Sequence, residues 1–274
     1  MESDFNCEAV VLIEVIWVIV MLAAGAVWVR RDMAEFRRFV RIKDSLSRQR
    51  TYGRWIATTF AFFTFASFVS LWLAGGLVPF DPFPQAFDQA NAMLKLPDRP
   101  VTPEMLFGMA IGVSINVAIF VLVQRLRDKK SARDTDDQSP NDVDALIPRN
   151  GREALYGIAL SINAGFSEEL FFRLALPLLM LHITGSLPFA FVFAALCFGL
   201  AHAYQGVRGV LATMFAGGIL TLVYLRTGSL LHVMLLHGAI DIVALFVRPW
   251  ARRVLSPKSA APLASHHKSE ADAA

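Results

Sequence analysis

The sequence predicts an all-α, polytopic membrane protein, because its composition is strongly apolar and its uncharged stretches are long. Of the 274 residues, 55% are hydrophobic and only 18% are charged, and the mean hydropathy is +0.49. A soluble domain uses about 25% charged residues. The stretches 55–80 and 105–124 contain no charged residue, and each is long enough to cross a bilayer. These observations exclude a water-soluble globule, and two cysteines give no disulfide framework.

The distribution of such stretches predicts seven transmembrane helices. The uncharged run 174–207 is too long for one span of about 20 residues, and Gly185-Ser-Leu-Pro188 is typical of a turn that divides it. A break near Gly165 in the fourth span would raise the number to eight. The predicted spans cover approximately 9–29, 55–76, 105–124, 155–182, 187–204, 209–226 and 229–247.

The positions of Lys and Arg predict the orientation in the membrane. The loop from Arg30 to Arg54 holds nine of them and the segment 125–153 holds seven, whereas the loop 77–104 holds two. The positive-inside rule then places the N-terminus outside and the C-terminus in the cytoplasm. The high pI, near 9.0, reflects this topology and does not indicate nucleic-acid binding.

Three regions follow from these patterns. Residues 1–150 form an N-terminal transmembrane region with basic cytoplasmic loops, and residues 151–248 form a helix bundle that would hold the catalytic groups. Residues 249–274 are rich in Ala, Ser and Lys and predict a disordered cytoplasmic tail.

Ionisable side chains inside the predicted spans cluster in the last third of the chain. Each costs about 2.5–3.5 kcal/mol at the centre of an inserted helix, so their joint cost exceeds what packing alone explains. His202 has no local partner and must find one on another helix. The candidate site residues are Glu168, Glu169, Arg173, His202, His237 and Asp241.

Helical spacing separates the roles of these residues. Glu169 and Arg173 are four apart and can form an ion pair along one face. Glu168 points about 100° away, which leaves this carboxylate without that partner and free for proton transfer. His237 and Asp241 share a face by the same spacing. Convergence of these groups with His202 would activate a water molecule and stabilise an oxyanion.

Three motifs occur in order in these helices and resemble those of the CPBP family. They are Glu-Glu-x-x-x-Arg at 168–173, Phe-x-x-x-His at 198–202 and His-x-x-x-Asn/Asp at 237–241. This family includes the CAAX prenyl endopeptidases of the Ras-converting type and related bacteriocin-processing or immunity (Abi-like) proteins. The resemblance covers approximately residues 152–247.

The resemblance implies an intramembrane endopeptidase whose site opens toward the cytoplasm. Its substrate would be a membrane-anchored protein or a lipidated peptide in the bilayer, and its setting would be the bacterial inner membrane. In this family pattern Glu168 with His202 would activate the attacking water, and no cofactor would be needed.

The other two motif pairs would support that reaction. By the same resemblance, His237 and Asp241 would bind the oxyanion, and Glu169 with Arg173 would hold the helix and the charge balance. Prenyl proteases usually have Asn where this chain has Asp241. An ionised Asp only accepts hydrogen bonds, so it would act by orienting His237 as a donor unless it is protonated.

Two alternatives stay open at this point. In a zinc-dependent intramembrane metalloprotease, Glu168, His202 and His237, with or without Asp241, would hold Zn²⁺, although no His-Glu-x-x-His motif is present. In a non-enzymatic immunity or scaffold protein, the same residues would serve as buried polar packing.

Overall fold

The computed structural model describes residues 2–75, 83–93, 142–247 and 249–250, and these form only helices and their connections. The predicted third span, 105–124, and residues 251–274 of the predicted tail lie outside the described residues. Shorter helical elements are a 3₁₀ turn at Gln85–Phe87, one at Asp142–Leu146 and one at Ala203–Gln205. The α-helices are α1 (Glu2–Phe39), α2 (Ser45–Leu73), α3 (Asp88–Met93), α4 (Gly151–Glu169), α5 (Leu176–Thr184), α6 (Leu187–Ala201), α7 (Gly206–Thr227) and α8 (Leu230–Ile242).

Four described helical stretches are long and apolar enough to cross a membrane: Ala9–Phe39, Ser45–Leu73, Ala203–Thr227 and Leu230–Val247. Helix α6 is equally apolar but has only 15 residues. The all-helical membrane class is therefore confirmed, while the predicted number of seven or eight spans is not.

Capping residues and glycines explain where the helices begin and end. Asn150 accepts from the Glu153 backbone N–H at the start of α4, at 3.0 Å. Gly185 ends α5 with a left-handed φ of 65°, a conformation that glycine adopts without steric cost. Helix α6 begins two residues later with Pro188 in its first turn, which confirms the turn predicted between these helices.

Helix α4 lies between α2 and α8, and a glycine permits its close approach to α8. A Cβ atom added at Gly165 would lie 2.5 Å from the Met234 carbonyl oxygen and 3.0 Å from the Gly238 backbone nitrogen. The sequence left open a helix break near Gly165, and the structure has none there, because α4 continues through this residue without interruption. The glycine therefore serves helix packing, which local sequence rules do not distinguish from helix breaking.

An irregular helical turn directly follows α4. Leu170–Ala175 form a π-helical segment, all of whose side chains are buried, and α5 continues from it. Pro177 lies just beyond this segment, has no backbone N–H to donate and crowds the carbonyl of residue 173. This provides a physical reason for the distorted turn, and such π segments often occur at functional sites.

A buried ion pair ties the start of α2 to the start of α4. Arg48 Nε lies 3.1 Å from Glu153 Oε2, and both side chains are fully buried. Arg48 also donates to the Ala145 carbonyl at 2.8 Å, and the Tyr52 hydroxyl donates to the Leu146 carbonyl at 2.9 Å. The network fixes the short segment that precedes α4.

The α4–α8 contact predicts a large effect of a small substitution. We expect Gly165→Ala to lower the free energy of unfolding by about 1–3 kcal/mol, because the new methyl group meets backbone atoms that cannot move independently. Thermal unfolding in detergent measures this. Gly218→Ala, on α7 where a Cβ meets nothing within 4 Å, is the matched control. Equal stability of the two variants would contradict the proposed close contact.

The buried ion pair predicts a pH-dependent contribution to stability. Burial alone would raise the pKa of Glu153, but hydrogen bonds from Ser45, Arg149 and Arg48, with the charge of Arg48, lower it below its ordinary value of 4.5. The stabilisation is therefore present above that value and is lost as the pH falls through the lower folded-state pKa. We expect Glu153→Gln to be less stable at neutral pH and its deficit to shrink toward acid pH in thermal unfolding. A deficit that does not change with pH would contradict this.

Candidate active site

The structure places all six predicted site residues in one region, at the ends of three helices and in the π segment. Glu168 and Glu169 end α4, and the π segment carries Arg173. His202 directly follows α6, and α8 carries the other two, His237 and Asp241. The contact between α4 and α8 at Gly165 therefore brings the first and third motifs together.

Glu169 is a fully buried carboxylate with two partners. Its Oε2 lies 3.0 Å from Arg173 Nε, and both side chains are nearly or fully buried. This is the ion pair predicted from the spacing. Its Oε1 lies 2.6 Å from His237 Nδ1 on α8, a contact that the sequence did not predict. Glu169 thus connects the π segment to α8.

Glu168 and His202 face each other without touching. Glu168 Oε2 lies 3.9 Å from His202 Nε2, too far for a direct hydrogen bond. His202 Nδ1 lies 2.9 Å from the Phe198 carbonyl oxygen, which only accepts. Nδ1 therefore carries a hydrogen, and in the neutral ring Nε2 is a free acceptor directed at Glu168.

His237 and Asp241 are neighbours on α8, as predicted. His237 Nε2 lies 3.8 Å from Asp241 Oδ2, and Asp241 is about one-third exposed. The His237 imidazole therefore lies between two carboxylates, with Nδ1 at Glu169 and Nε2 toward Asp241. Such surroundings favour a positively charged ring.

A cavity of about 140 Å³ is lined by Glu168, His202 and Asp241. Glu169, Arg173 and His237 are buried and are not among its lining residues. The remaining lining comes from α1, α2, the segment before α4, the second half of α4, the end of α6 and the turn after it. The cavity has room for a water molecule beside the two ionisable pairs.

The comparisons with known proteins agree with this geometry. Residues 150–243 match the family model described as Type II CAAX prenyl endopeptidase Rce1-like. The match covers about a third of the chain and shows that this segment is similar to the CAAX prenyl endopeptidases. The resemblance predicted from the three motifs is thereby confirmed, and the family implies a protease. No curated protein and no solved structure matches the chain.

One aromatic residue of the CAAX protease motifs organises the site. The Phe198 ring lies under the Arg173 guanidinium, with 4.5 Å between Cζ and the ring centroid. The same ring packs against His202 at 4.9 Å and His237 at 5.8 Å between centroids. A Cβ added at Gly217 on α7 would lie 2.7 Å from this ring, so Phe198 occupies a closely fitted position. It therefore holds three ionisable groups at fixed distances.

The zinc alternative names Glu168, His202 and His237 as ligands, and one ring nitrogen of each histidine already has another partner. Among the described residues, no group of three or more His, Cys, Asp or Glu side chains is placed to hold a metal ion. His237 Nδ1 is engaged by Glu169, and His202 Nδ1 is engaged by a backbone carbonyl. Each ring nevertheless keeps its Nε2 atom for another partner.

The structure places two acidic residues outside the motifs, Glu14 and Asp32, in surroundings that the sequence did not predict. Glu14 on α1 is fully buried, and its Oε1 lies 2.6 Å from Nδ1 of the half-exposed His182. Asp32, also on α1, lines the same cavity as Glu168. Trp28 and Phe36, each four residues from Asp32, line the cavity with it, and this spacing was the available signal.

Breaking the buried Glu169–Arg173 pair is expected to cost more stability than removing both charges. Glu169→Gln leaves the Arg173 charge buried with a weaker partner and should lower the free energy of unfolding by about 3–5 kcal/mol. The double variant with Arg173→Met should recover part of this loss. Thermal unfolding of both variants measures it, and Glu35→Gln on α1 is the control. Additive losses in the double variant would contradict the proposed coupling.

Proposed function

We propose that this protein is an intramembrane endopeptidase that hydrolyses a peptide bond of a membrane-anchored or lipidated protein. The observation that carries the proposal is the gap of 3.9 Å between Glu168 Oε2 and His202 Nε2 beside the cavity. Residues 151–248 would form the catalytic bundle, preceded by the transmembrane region 1–150. In the cell membrane, the N-terminus would lie outside and the cavity would open to the cytoplasm.

The gap between Glu168 and His202 suits one water molecule. A water that donates one hydrogen to each acceptor, at about 2.8 Å, spans 3.9 Å with an angle near 90° at its oxygen. Its oxygen lone pair then points into the cavity. Glu168 takes a proton as this oxygen attacks the substrate carbonyl carbon, and a tetrahedral oxyanion forms. The proton then passes from Glu168 to the leaving nitrogen, the oxyanion re-forms the carbonyl as the C–N bond breaks, and a carboxylic acid and an amine result.

The oxyanion needs a donor, and His237 supplies it. Glu169 accepts the hydrogen of His237 Nδ1, so a charged ring has a second N–H at Nε2. Asp241, 3.8 Å from Nε2, orients that donor and balances its charge. An acidic residue therefore serves at position 241, where prenyl proteases usually have Asn.

An apolar groove beside the catalytic cavity suits a lipid-bearing or membrane-embedded substrate. It has a volume of about 390 Å³ and is lined by α1, α2, the π segment and the end of α6. Trp28, Phe63 and Ala201 line both the groove and the cavity. A chain that enters through the groove would therefore reach Glu168 and His202 without crossing a polar barrier.

Comparison of protein termini in cells tests the proposal. We expect at least one membrane-associated protein to be cut in wild-type cells and uncut with Glu168→Gln or His202→Gln, because each variant replaces a group that can take a proton with a neutral amide that cannot. Effects of about 100-fold or more are expected for loss of a general base. His182→Gln is a matched control, since this histidine pairs with Glu14 and not with Glu168.

The outcomes of this comparison separate the alternatives. Unchanged termini in all variants, with stable protein in the membrane, would contradict proteolysis and favour the scaffold or immunity interpretation. Loss of cleavage by the purified wild-type protein with a chelator, and recovery with Zn²⁺, would replace the Glu/His-activated water with the zinc mechanism.

A further inference from the structure

The cavity that holds the catalytic pair extends toward α1, where one face of that helix forms part of its wall. Trp28, Asp32 and Phe36 all line the cavity, four residues apart on α1. Trp55 on α2 and Tyr204 after α6 line the same cavity, so its wall carries these four aromatic rings besides the Asp32 carboxylate. This wall lies outside residues 150–243 except for Tyr204.

Asp32 is a carboxylate without a compensating partner. Within the described part of the chain it forms no hydrogen bond or ion pair, and it is only partly exposed. Its neighbour Glu35 is different, because it accepts from Trp55 Nε1 at 3.0 Å and pairs with Arg54. Asp32 is therefore the carboxylate of α1 that faces the cavity with its charge available.

The ionisable groups around the cavity are mainly acidic. Asp32, Glu168 and Asp241 all line it. Among its described lining residues there is no Lys or Arg, and His202 is the only basic side chain. Several ionised carboxylates around one partly enclosed space repel one another, and either protonation or a bound cation relieves that repulsion.

The aromatic rings restrict what kind of cation fits. Trp and Tyr rings attract a cation over their faces, and this attraction is strongest where water is excluded. Two tryptophans, a tyrosine and a phenylalanine therefore suit the ammonium or guanidinium group of a long side chain, whose apolar stem also packs on rings. A hydrated metal ion gains less from such a wall than from oxygen ligands.

We propose that Asp32, with the rings of Trp28, Phe36, Trp55 and Tyr204, binds a Lys or Arg side chain of the substrate. The inference rests on the proposed function and adds a substrate class to it. The Phe36 ring lies 5.0 Å from the Tyr204 ring, which lies 6.0 Å from the His202 ring. Since an extended peptide advances about 3.3 Å per residue, the basic residue lies within roughly three residues of the scissile bond.

A binding measurement that needs no cleavage tests the site. The probe is N-acetyl-lysine methylamide, with uncharged N-acetyl-norleucine methylamide as its counterpart, titrated into the full chain in lipid nanodiscs. Because Trp28 and Trp55 line the cavity, tryptophan fluorescence reports occupancy. We expect a saturable change with the lysine probe alone, weakened about tenfold in Asp32→Asn and retained in Asp32→Glu and in Glu35→Gln.

Other results of the titration would overturn the inference. They are an equal response to both probes, no response to the lysine probe, or undiminished binding by an Asp32→Asn protein that unfolds at the wild-type temperature.

Cleavage sites provide a second, separable test. Cleavage sites that depend on Glu168 should have Lys or Arg within three residues of the cleaved bond. In a charge-reversal experiment, Asp32→Lys should cleave a reporter in which this basic residue is replaced by Glu better than the original reporter. Glu168-dependent sites without a basic residue, and insensitive to Asp32, would contradict the inference while leaving proteolysis intact. Lysine-probe binding that needs Asp32, without any Glu168-dependent cut, would support the cation site and contradict the proposed function.

Discussion

The buried negative charge of Glu169 is the constraint on which the catalytic half of this protein depends. A carboxylate with no exposed surface must be neutralised by fixed partners, because water cannot solvate it. Arg173 meets this need from the same helical run, and His237 meets it from α8. Since one partner belongs to another helix, satisfying the charge also fixes where α8 lies against α4. Gly165 makes this possible by removing the side chain that would keep the two helices apart.

This arrangement gives two adjacent carboxylates opposite roles. Glu169 points into the protein, where one of its oxygens lies beside Arg173 and the other beside His237, so neither oxygen faces the cavity. Glu168 points to the cavity, where its nearest ionisable partner is His202 at 3.9 Å. Neighbouring positions on a helix differ by about 100°, which is enough to separate an internal from a cavity-facing environment. Two carboxylates in different environments can take different roles in proton transfer.

Short-range spacing predicted much of the site but not its assembly. The pairs Glu169–Arg173 and His237–Asp241 follow from helical periodicity, and both are present. The bond between Glu169 and His237 joins residues 68 positions apart, so it depends on how two helices cross. The same limit applies to Gly165, whose packing role is set by α8 and not by its own helix. The four long apolar helices among the described residues support a membrane protein but do not confirm seven or eight spans, and the predicted third span, 105–124, lies outside those residues.

The cavity is lined by residues from two parts of the chain, the N-terminal helices and the segment 150–243, and these parts have different proposed roles. The residues proposed to carry out hydrolysis are Glu168, His202 and His237, and all three lie within the segment that matches the protease family. The opposite wall, with Trp28 and Asp32, comes from α1, outside that segment. A change in α1 can therefore alter the shape and charge that a substrate meets without moving the acceptors of the catalytic water. If α1 recognises the residues that flank the scissile bond, the N-terminal region determines which proteins are cut. The helices of residues 150–243 then determine how the peptide bond is hydrolysed.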